Sequence, residues 1–434
     1  MIPVLFWTDA LIFLLILGLV VWLINFRKTE EWHLIWARIA KRPRYLVALM
    51  ILMLYSLVGV LDSLHFKNNE NAIKIRSVLD VLLSPRDSQT EITYSAPFAL
   101  SAYNSEMHKT ETGDLKQVYS KLQFSGSHLE TTRKDKWVDI FIRIGQGLVI
   151  GLGLSLLFYS IIYLCFRKRK RFSFAGIHKT FWITLSCTIC LLSIISQCMF
   201  EYHILGTDKI GQDVFYISVK SIRTGLVIGT VTTLVMLPFA LALGLMAGYF
   251  RGWVDDLIQY LYTTLSSIPG ILLIAAAMLS FQVRIEANPD LRLLILCIIL
   301  GVTSWTTLCR LLRGEALKLR EADFVKSAIV LGVNRLKIIR RHIMPNVMHI
   351  VIITVVLDFS GLVLAEAVLS YVGVGVDPTS FSWGNMINAA RLDMARDPIV
   401  WWSLSGALSL MFILVFSANI FSDALREALD PRGN

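Results

Sequence analysis

No glycine in this chain is followed by lysine, so it has no G-x-x-x-x-G-K-[S/T] phosphate loop and cannot hydrolyse ATP by that route. No histidine is followed by glutamate, which removes the H-E-x-x-H zinc helix. No G-x-S-x-G nucleophile elbow occurs either. The histidines, His33, His65, His108, His128, His178, His203, His342 and His349, are dispersed. Cysteine is scarce. Cys165, Cys187, Cys190, Cys198, Cys297 and Cys309 lie in or beside apolar runs, and the long polar stretch 65–137 has none, hence no disulfide framework. Cys187 and Cys190 form a C-x-x-C inside an apolar helix. Without further ligands that spacing reads as packing rather than metal or redox chemistry. Charge is the largest deficit: only 17% of the 434 residues are charged and 55% are hydrophobic, which excludes an ordinary soluble domain. The net charge of +10 does not point to nucleic acid, because the basic residues gather in short loops between apolar runs, the positive-inside pattern.

What remains is an all-α polytopic membrane protein. Nine apolar runs read as spans, at 4–26, 45–64, 138–166, 180–200, 224–249, 258–281, 291–312, 347–372 and 400–421. The first has no basic residue before it and Arg27–Lys28 after it, the mark of an uncleaved anchor with its N-terminus outside. Residues 27–44 carry Arg27, Lys28, Arg38, Lys41, Arg42 and Arg44, which places this loop in the cytoplasm. Within it Trp32, Ile35, Trp36 and Ile39 share one helical face, an elbow helix either on the membrane surface or packed on the protein. Arg167–Arg171 and the basic residues of 310–341 mark two more cytoplasmic turns. Alternation then puts 65–137, 201–223, 282–290 and 373–399 outside and the C-terminus inside. G-x-x-x-G occurs at Gly147–Gly151, Gly225–Gly229 and Gly244–Gly248, a signal for close helix packing in lipid.

Between two spans lies a polar island, Glu321–Asn346. Ala322–Leu331 has neither Gly nor Pro, and Phe324, Val325, Ala328 and Ile329 make one apolar stripe. Gly332 can take the left-handed conformation that ends a helix. Asn334 suits the N-cap of a second, with Leu336, Ile339 and Ile343 on one face and Arg335, Lys337, Arg340 and Arg341 on the other. Pro345 is expected to stop that helix. Two short amphipathic helices of this kind either seat an apolar face in a partner's groove or lie on lipid.

The island resembles the EAA loop of ABC importer permeases. The family's small-residue triplet falls on Lys326, Ser327 and Ala328, its glycine on Gly332, and its tail on His342–Asn346, with Lys326 in place of the triplet glutamate and Ser327 in place of alanine. Further matches follow in order. Gly206, Thr207, Asp208, Gly211 and Asp213, in GTDKIGQD, are similar to the GTDxxGRD signature of the dipeptide/oligopeptide/nickel class, with Gln212 replacing arginine. Gly248–Asp255 is similar to its GYFGGWVD turn, and Leu364–Gly373 to LAEAALSFLG; Ser382–Gly384 and Asp423–Pro431 match as well. The resemblance covers about 200–434 and is closest to the second permease of peptide systems.

It implies a type I ABC importer permease core of about six spans, here with about three extra spans. The expected layout is an extra anchor at 1–26, elbow and first core span at 27–64, an extracytoplasmic loop or small domain at 65–137, an inserted hairpin at 138–200, and the core at 201–434 with its coupling loop at 321–346. The resemblance also implies a bacterial inner-membrane location, a second permease subunit, two ATP-binding subunits that use the ATP, and an external solute-binding protein. It implies no cofactor or metal held by this chain and no enzyme activity of its own. Glu321, Ala322, Asp323, Phe324, Lys326, Ser327, Ala328, Gly332, Asn334, Arg335, His342, Pro345 and Asn346 are the expected coupling residues.

Two acids lie within spans, Asp358 and Glu366. Their readings are a polar pathway or gate, a carboxylate pair for proteolysis, or a hydrogen-bonded helix contact. Asp9, near a membrane edge, reads as solvated. Peptide import leads. A permease for nickel or another small solute, a secondary transporter, an intramembrane protease and a structural membrane partner are the alternatives. A secondary transporter often carries internal repeats, and none is visible.

Overall fold

The computed structural model describes residues 2–26, 38–39, 42–67, 75–83, 90–109, 115–129, 133–167, 179–282 and 288–429. In chain order its elements are β1 (Ile2–Val4), α1 (Trp7–Phe26), α2 (Pro43–Ser63), β2 (His65–Lys67), β3 (Arg76–Ser77), α3 (Val78–Leu82), β4 (Glu106–Lys109), β5 (Leu115–Val118), α4 (Arg133–Arg167), α5 (Lys179–Glu201), α6 (Val214–Phe250), α7 (Trp253–Ser267), α8 (Gly270–Gln282), α9 (Pro289–Arg320), α10 (Asp323–Val330), α11 (Arg335–Ile338), α12 (Met344–Tyr371), α13 (Trp383–Asp393) and α14 (Trp402–Leu429). A π-helical turn, Ile339–Ile343, joins α11 to α12.

Among the described residues, 7 helices are long and apolar enough to cross a membrane: α2, α4, α5, α6, α9, the run Arg335–Tyr371, and α14. Two expected spans differ. The stretch 258–281 is not one helix but α7 and α8, bent by 85° at their junction. Pro269 lacks an N–H and holds the preceding Ile268 in extended geometry, at φ −91° and ψ 131°. The first run starts at Trp7 rather than residue 4, and its fully described part, Trp7–Gly18, is shorter than the others. Trp32, Ile35 and Trp36 of the expected elbow, and Lys168–Arg171, lie outside the described residues.

The chain forms two compact units. The first comprises 1–3, 40–222 and 389–413. Here α4 and α5 run along each other, and a methyl at Gly147 or Gly151 would strike the α5 backbone at Ile194 or Cys190. That contact accounts for Cys190 as packing; Cys187 and Cys190 are free thiols, and no metal-ligand cluster exists among the described residues. Where α2, α3 and α6 meet, Lys220 donates to Asp80 at 2.6 Å and lies 3.5 Å from Asp62. Burial alone would raise the Asp80 carboxyl. The Lys220 ammonium and hydrogen bonds from Ser77 and Tyr216 outweigh it and hold the group below its ordinary range.

The second unit comprises 4–39, 223–388 and 414–434. Gly244 and Gly248 of α6 press on Cys309, Leu312 and Ala316 of α9, and Gly229 presses on Phe359 of α12. Small residues at these positions let the spans approach closely. Asp9 corrects its reading as solvated: it is fully buried and accepts from Arg223 Nη2 at 2.6 Å. Its partner lies 214 positions away, so nothing local announces the pair. Asp290, at the start of α9, takes the Trp7 N–H at 3.0 Å and the Thr8 hydroxyl, capping α1 from outside its own sequence.

Candidate functional site

The island grows directly out of α9. Glu321 is its C-cap, and Ala322 opens α10 in extended geometry. The helix ends at Gly332, with φ +71°. Val333 N–H reaches Ala328 O at 3.1 Å and Gly332 N–H reaches Ile329 O at 3.0 Å. These are the two bonds of a Schellman turn, which needs a left-handed residue at Gly332. Asn334 then caps α11, its side chain accepting the Leu336 N–H at 3.1 Å. Pro345 does not stop the second helix. It stands in the first turn of α12, where its missing N–H follows the π turn, and the chain stays helical to Tyr371. Asn346 Nδ2 donates to His342 O at 2.6 Å and satisfies one carbonyl at that join.

The apolar stripes divide differently from the sequence pattern. Val325 and Ala328 of α10, Ile338 of α11 and Ile343 are buried in one cluster with Tyr249, Leu312 and Ala316. Ile338, not Leu336, faces that core. Phe324, Ile329, Val330, Leu331 and Leu336 point outward, Val330 at 86% and Leu331 at 81% exposure. Around this ridge Lys326, Arg335, Lys337, Arg340 and Arg341 are all exposed. The island is therefore seated by one set of apolar residues and presents another.

Glu321 ties the island to the turn between α6 and α7. Arg251 Nη2 donates to it at 2.8 Å, and Lys326 Nζ lies at 3.4 Å. The hydrogen bond and charge of Lys326, backed by Arg251, hold the Glu321 carboxyl below its ordinary range. Arg251 adopts φ +58°, a left-handed conformation that costs a side-chain-bearing residue about 1–2 kcal/mol. Below it, Arg313 clasps Asp255 with two bonds, at 2.5 and 2.7 Å, joining α9 to α7.

The GTDKIGQD motif is a single tight turn in the first unit. Gly206 and Gly211 have φ +69° and +80°. Asp208 Oδ1 accepts the N–H groups of Ile210 and Gln212 at 2.9 and 2.8 Å, and Asp213 accepts Tyr216 N–H at 3.1 Å, capping α6. The polar segments 90–109 and 115–129 are laid over this turn. Thr207 N–H meets Ser95 O, and Glu91 N–H meets Gly211 O at 2.9 Å. His203 is fully buried between Asp213 at 2.6 Å and Glu91 at 3.5 Å. Burial would raise Glu91, but His203 and the N–H groups of Gln123 and Phe124 hold it below its ordinary range.

Asp208 moves the other way, raised by burial against its N–H partners. Its folded pKa lies above the unfolded one, so stability falls as pH rises through that interval and the penalty is complete at neutral pH. Asp208→Asn keeps the Oδ1 acceptor and removes the charge. We expect its thermal midpoint to exceed wild type at neutral pH and to match it below the carboxylate range; a lower midpoint at neutral pH would contradict this account.

Asp358 and Glu366 do not form a carboxylate pair. Eight residues apart on α12, they are separated by about 12 Å along the axis. Glu366 is buried and accepts from Ser370 Oγ at 2.7 Å, with Ser382 also bonded to it, a helix contact. Asp358 is only partly buried, with no hydrogen bond or ion pair among the described residues. Sequence reasoning missed Arg223, Lys220, His203 and Glu91. Arg223 and Lys220 carried a usable signal, a cation inside an otherwise apolar helix; His203 and Glu91 carried none.

Residues 240–433 match the family described as binding-protein-dependent transport system inner membrane component. The chain is 31% identical over 229 residues to the oligopeptide transport system permease protein OppC of Mycobacterium tuberculosis, covering 53% of this chain and 76% of that one. It is 33% identical over 230 residues to the glutathione transport system permease protein GsiD of Pectobacterium atrosepticum, covering 53% and 73%. It is 28% identical over 230 residues to the dipeptide transport system permease protein DppC of Bacillus subtilis, covering 53% and 69%.

Proposed function

Because the chain belongs to the family of binding-protein-dependent inner-membrane transport components, we propose that it is one half of the pathway of an ATP-driven peptide importer. It works with a second permease, two ATP-binding subunits and an external solute-binding protein. Peptides are the solute class that best fits relatives named for oligopeptides, dipeptides and glutathione.

The observation that carries the reading is the double face of the island. Its inner residues share a core with α6 and α9, and its outer ridge of Val330, Leu331 and Leu336 is left uncovered. A ridge of this kind, rimmed by cations, fits an apolar groove with acidic edges on an ATPase. When ATP draws the ATPases together, the seated ridge pulls on α9 and on the continuous run Arg335–Tyr371, and the cavity changes sides. With the island inside, the N-terminus faces out and the C-terminus faces the cytoplasm. Residues 1–26, 65–137 and 138–200 are then additions to the transport core.

Vesicles holding all the subunits test this. ATP-dependent uptake of a tripeptide is expected, and in a cysteine-free background an impermeant thiol reagent should reach Asn104→Cys and Ser327→Cys from opposite faces. Absence of ATP-dependent uptake, or labelling of both from one face, would refute the reading.

A further inference from the structure

Asp358 lies at the midpoint of α12, with about 20 Å of helix on either side. That is the depth at which a carboxylate is most costly, so ionisable groups there pair with a partner or line a wet cavity. This chain supplies no cationic partner among its core spans. Segments 224–250, 252–282, 293–309, 346–371 and 402–425 contain no lysine or arginine at all. The one histidine among them, His349, is about 13 Å along the axis towards the cytoplasmic end. Glu366, the other acid of α12, has its hydroxyl partners and needs nothing more. Among the described residues, then, nothing supplies a counter-charge to Asp358, which points to a source outside this chain.

The surroundings say from where. Asp358 borders the side of α12 that the chain leaves open. A methyl added at Gly361, the next turn, would meet no atom within 4 Å, and Leu364 and Val368 beyond it are 43% and 42% exposed. A carboxylate beside small and smooth apolar positions is an acceptor-only site with room next to it.

We propose that Asp358 is a recognition site in the pathway for a cationic group of the passing solute, a primary ammonium such as a peptide's free N-terminus. The assignment rests on the reading of the chain as a peptide permease. An ammonium presents three donors to a carboxylate that can only accept, and the pairing replaces the water each loses at this depth. The site is transient by construction, since one carboxylate holds the group without caging it. It also favours peptides with a free amine over neutral solutes of equal size.

The test uses the complete complex in vesicles, with tri-alanine and N-acetyl-tri-alanine as probes. The external binding protein is the same for every variant, so a change in the ratio of the two uptake rates belongs to the permease. Asp358→Asn should slow tri-alanine uptake by roughly 10- to 100-fold, the size of one lost charge-assisted hydrogen bond. Asp358→Glu should stay within about threefold of wild type, and N-acetyl-tri-alanine, an anion with no ammonium to recognise, should not be slowed by Asp358→Asn. Unchanged tri-alanine uptake by Asp358→Asn overturns the proposal. So does failure of Asp358→Asn to co-purify with the second permease, which would place the counter-charge in that subunit. A wild-type complex that takes up neither probe overturns the peptide reading, and this assignment with it.

Discussion

Gly332→Val should leave a folded, membrane-inserted protein that no longer couples ATP hydrolysis to uptake. The reason is purely conformational. A Cβ at Gly332 meets no atom within 4 Å, so no clash is created. The cost lies in the backbone. At φ +71° a side chain is disfavoured by about 1–2 kcal/mol, and by more for a β-branched one. Valine escapes by leaving the left-handed region, which breaks the bonds from Val333 to Ala328 and from Gly332 to Ile329 and re-aims Asn334. The exposed ridge of Val330, Leu331 and Leu336 is built across this turn, so its two sides no longer fit one groove. Uptake should fall at least about tenfold, while the thermal midpoint moves by only a few degrees. Gly332→Asn is the control, because asparagine tolerates the left-handed region, and it should retain most uptake. Full coupling in Gly332→Val would show that the turn is not part of the lever.

Why the island could be read ahead of the structure, and other parts could not, follows from the range of the interactions involved. The Schellman turn at Gly332 and the cap at Asn334 are closed by residues within five positions, and local spacing reveals them. Membrane spans are similarly local, since length and apolarity define them. Pro345 departs from the expected stop because a proline ends a helix only from its interior, and the π turn before it lets Met344–Tyr371 begin around it. The outward face of the island is not legible in the same way, because spacing shows that a helix has an apolar side, not which neighbours are present to cover it. Ile338 and Leu336 differ only in what lies beneath them. Asp9, Glu91 and Arg251 lie furthest from legibility. Their partners Arg223, His203 and Glu321 are 214, 112 and 70 positions away, and a pair at that separation exists only once the chain has folded.

Gly211→Ala carries the other large effect, on the first unit rather than on the lever. Two independent obstacles meet at this residue. Its φ of +80° disfavours any side chain, and a methyl there would enter the carbonyl group of Glu91. Because the obstructing atoms are backbone, no rotamer change relieves them. Overpacking and the left-handed penalty together amount to roughly 2–5 kcal/mol. The segments 90–109 and 115–129 must then lift from the motif, which breaks the Glu91–Gly211 hydrogen bond and pulls Glu91 from His203. His203 stays buried against Asp213 but loses its contact with Glu91, which adds to the loss. Gly126, also at positive φ, is the informative comparison, because the atoms a methyl would meet there belong to side chains, mainly the end of Leu100, which can turn aside where backbone cannot. Hydrogen exchange should show 90–109 and 115–129 losing protection in Gly211→Ala and keeping most of it in Gly126→Ala. Equal protection in both variants would mean that the close backbone approach at Gly211 does not hold the module down. If these segments do detach, uptake by the same protein shows whether they serve transport or only cover the motif: a permease that still transports carries its function in the spans and the island.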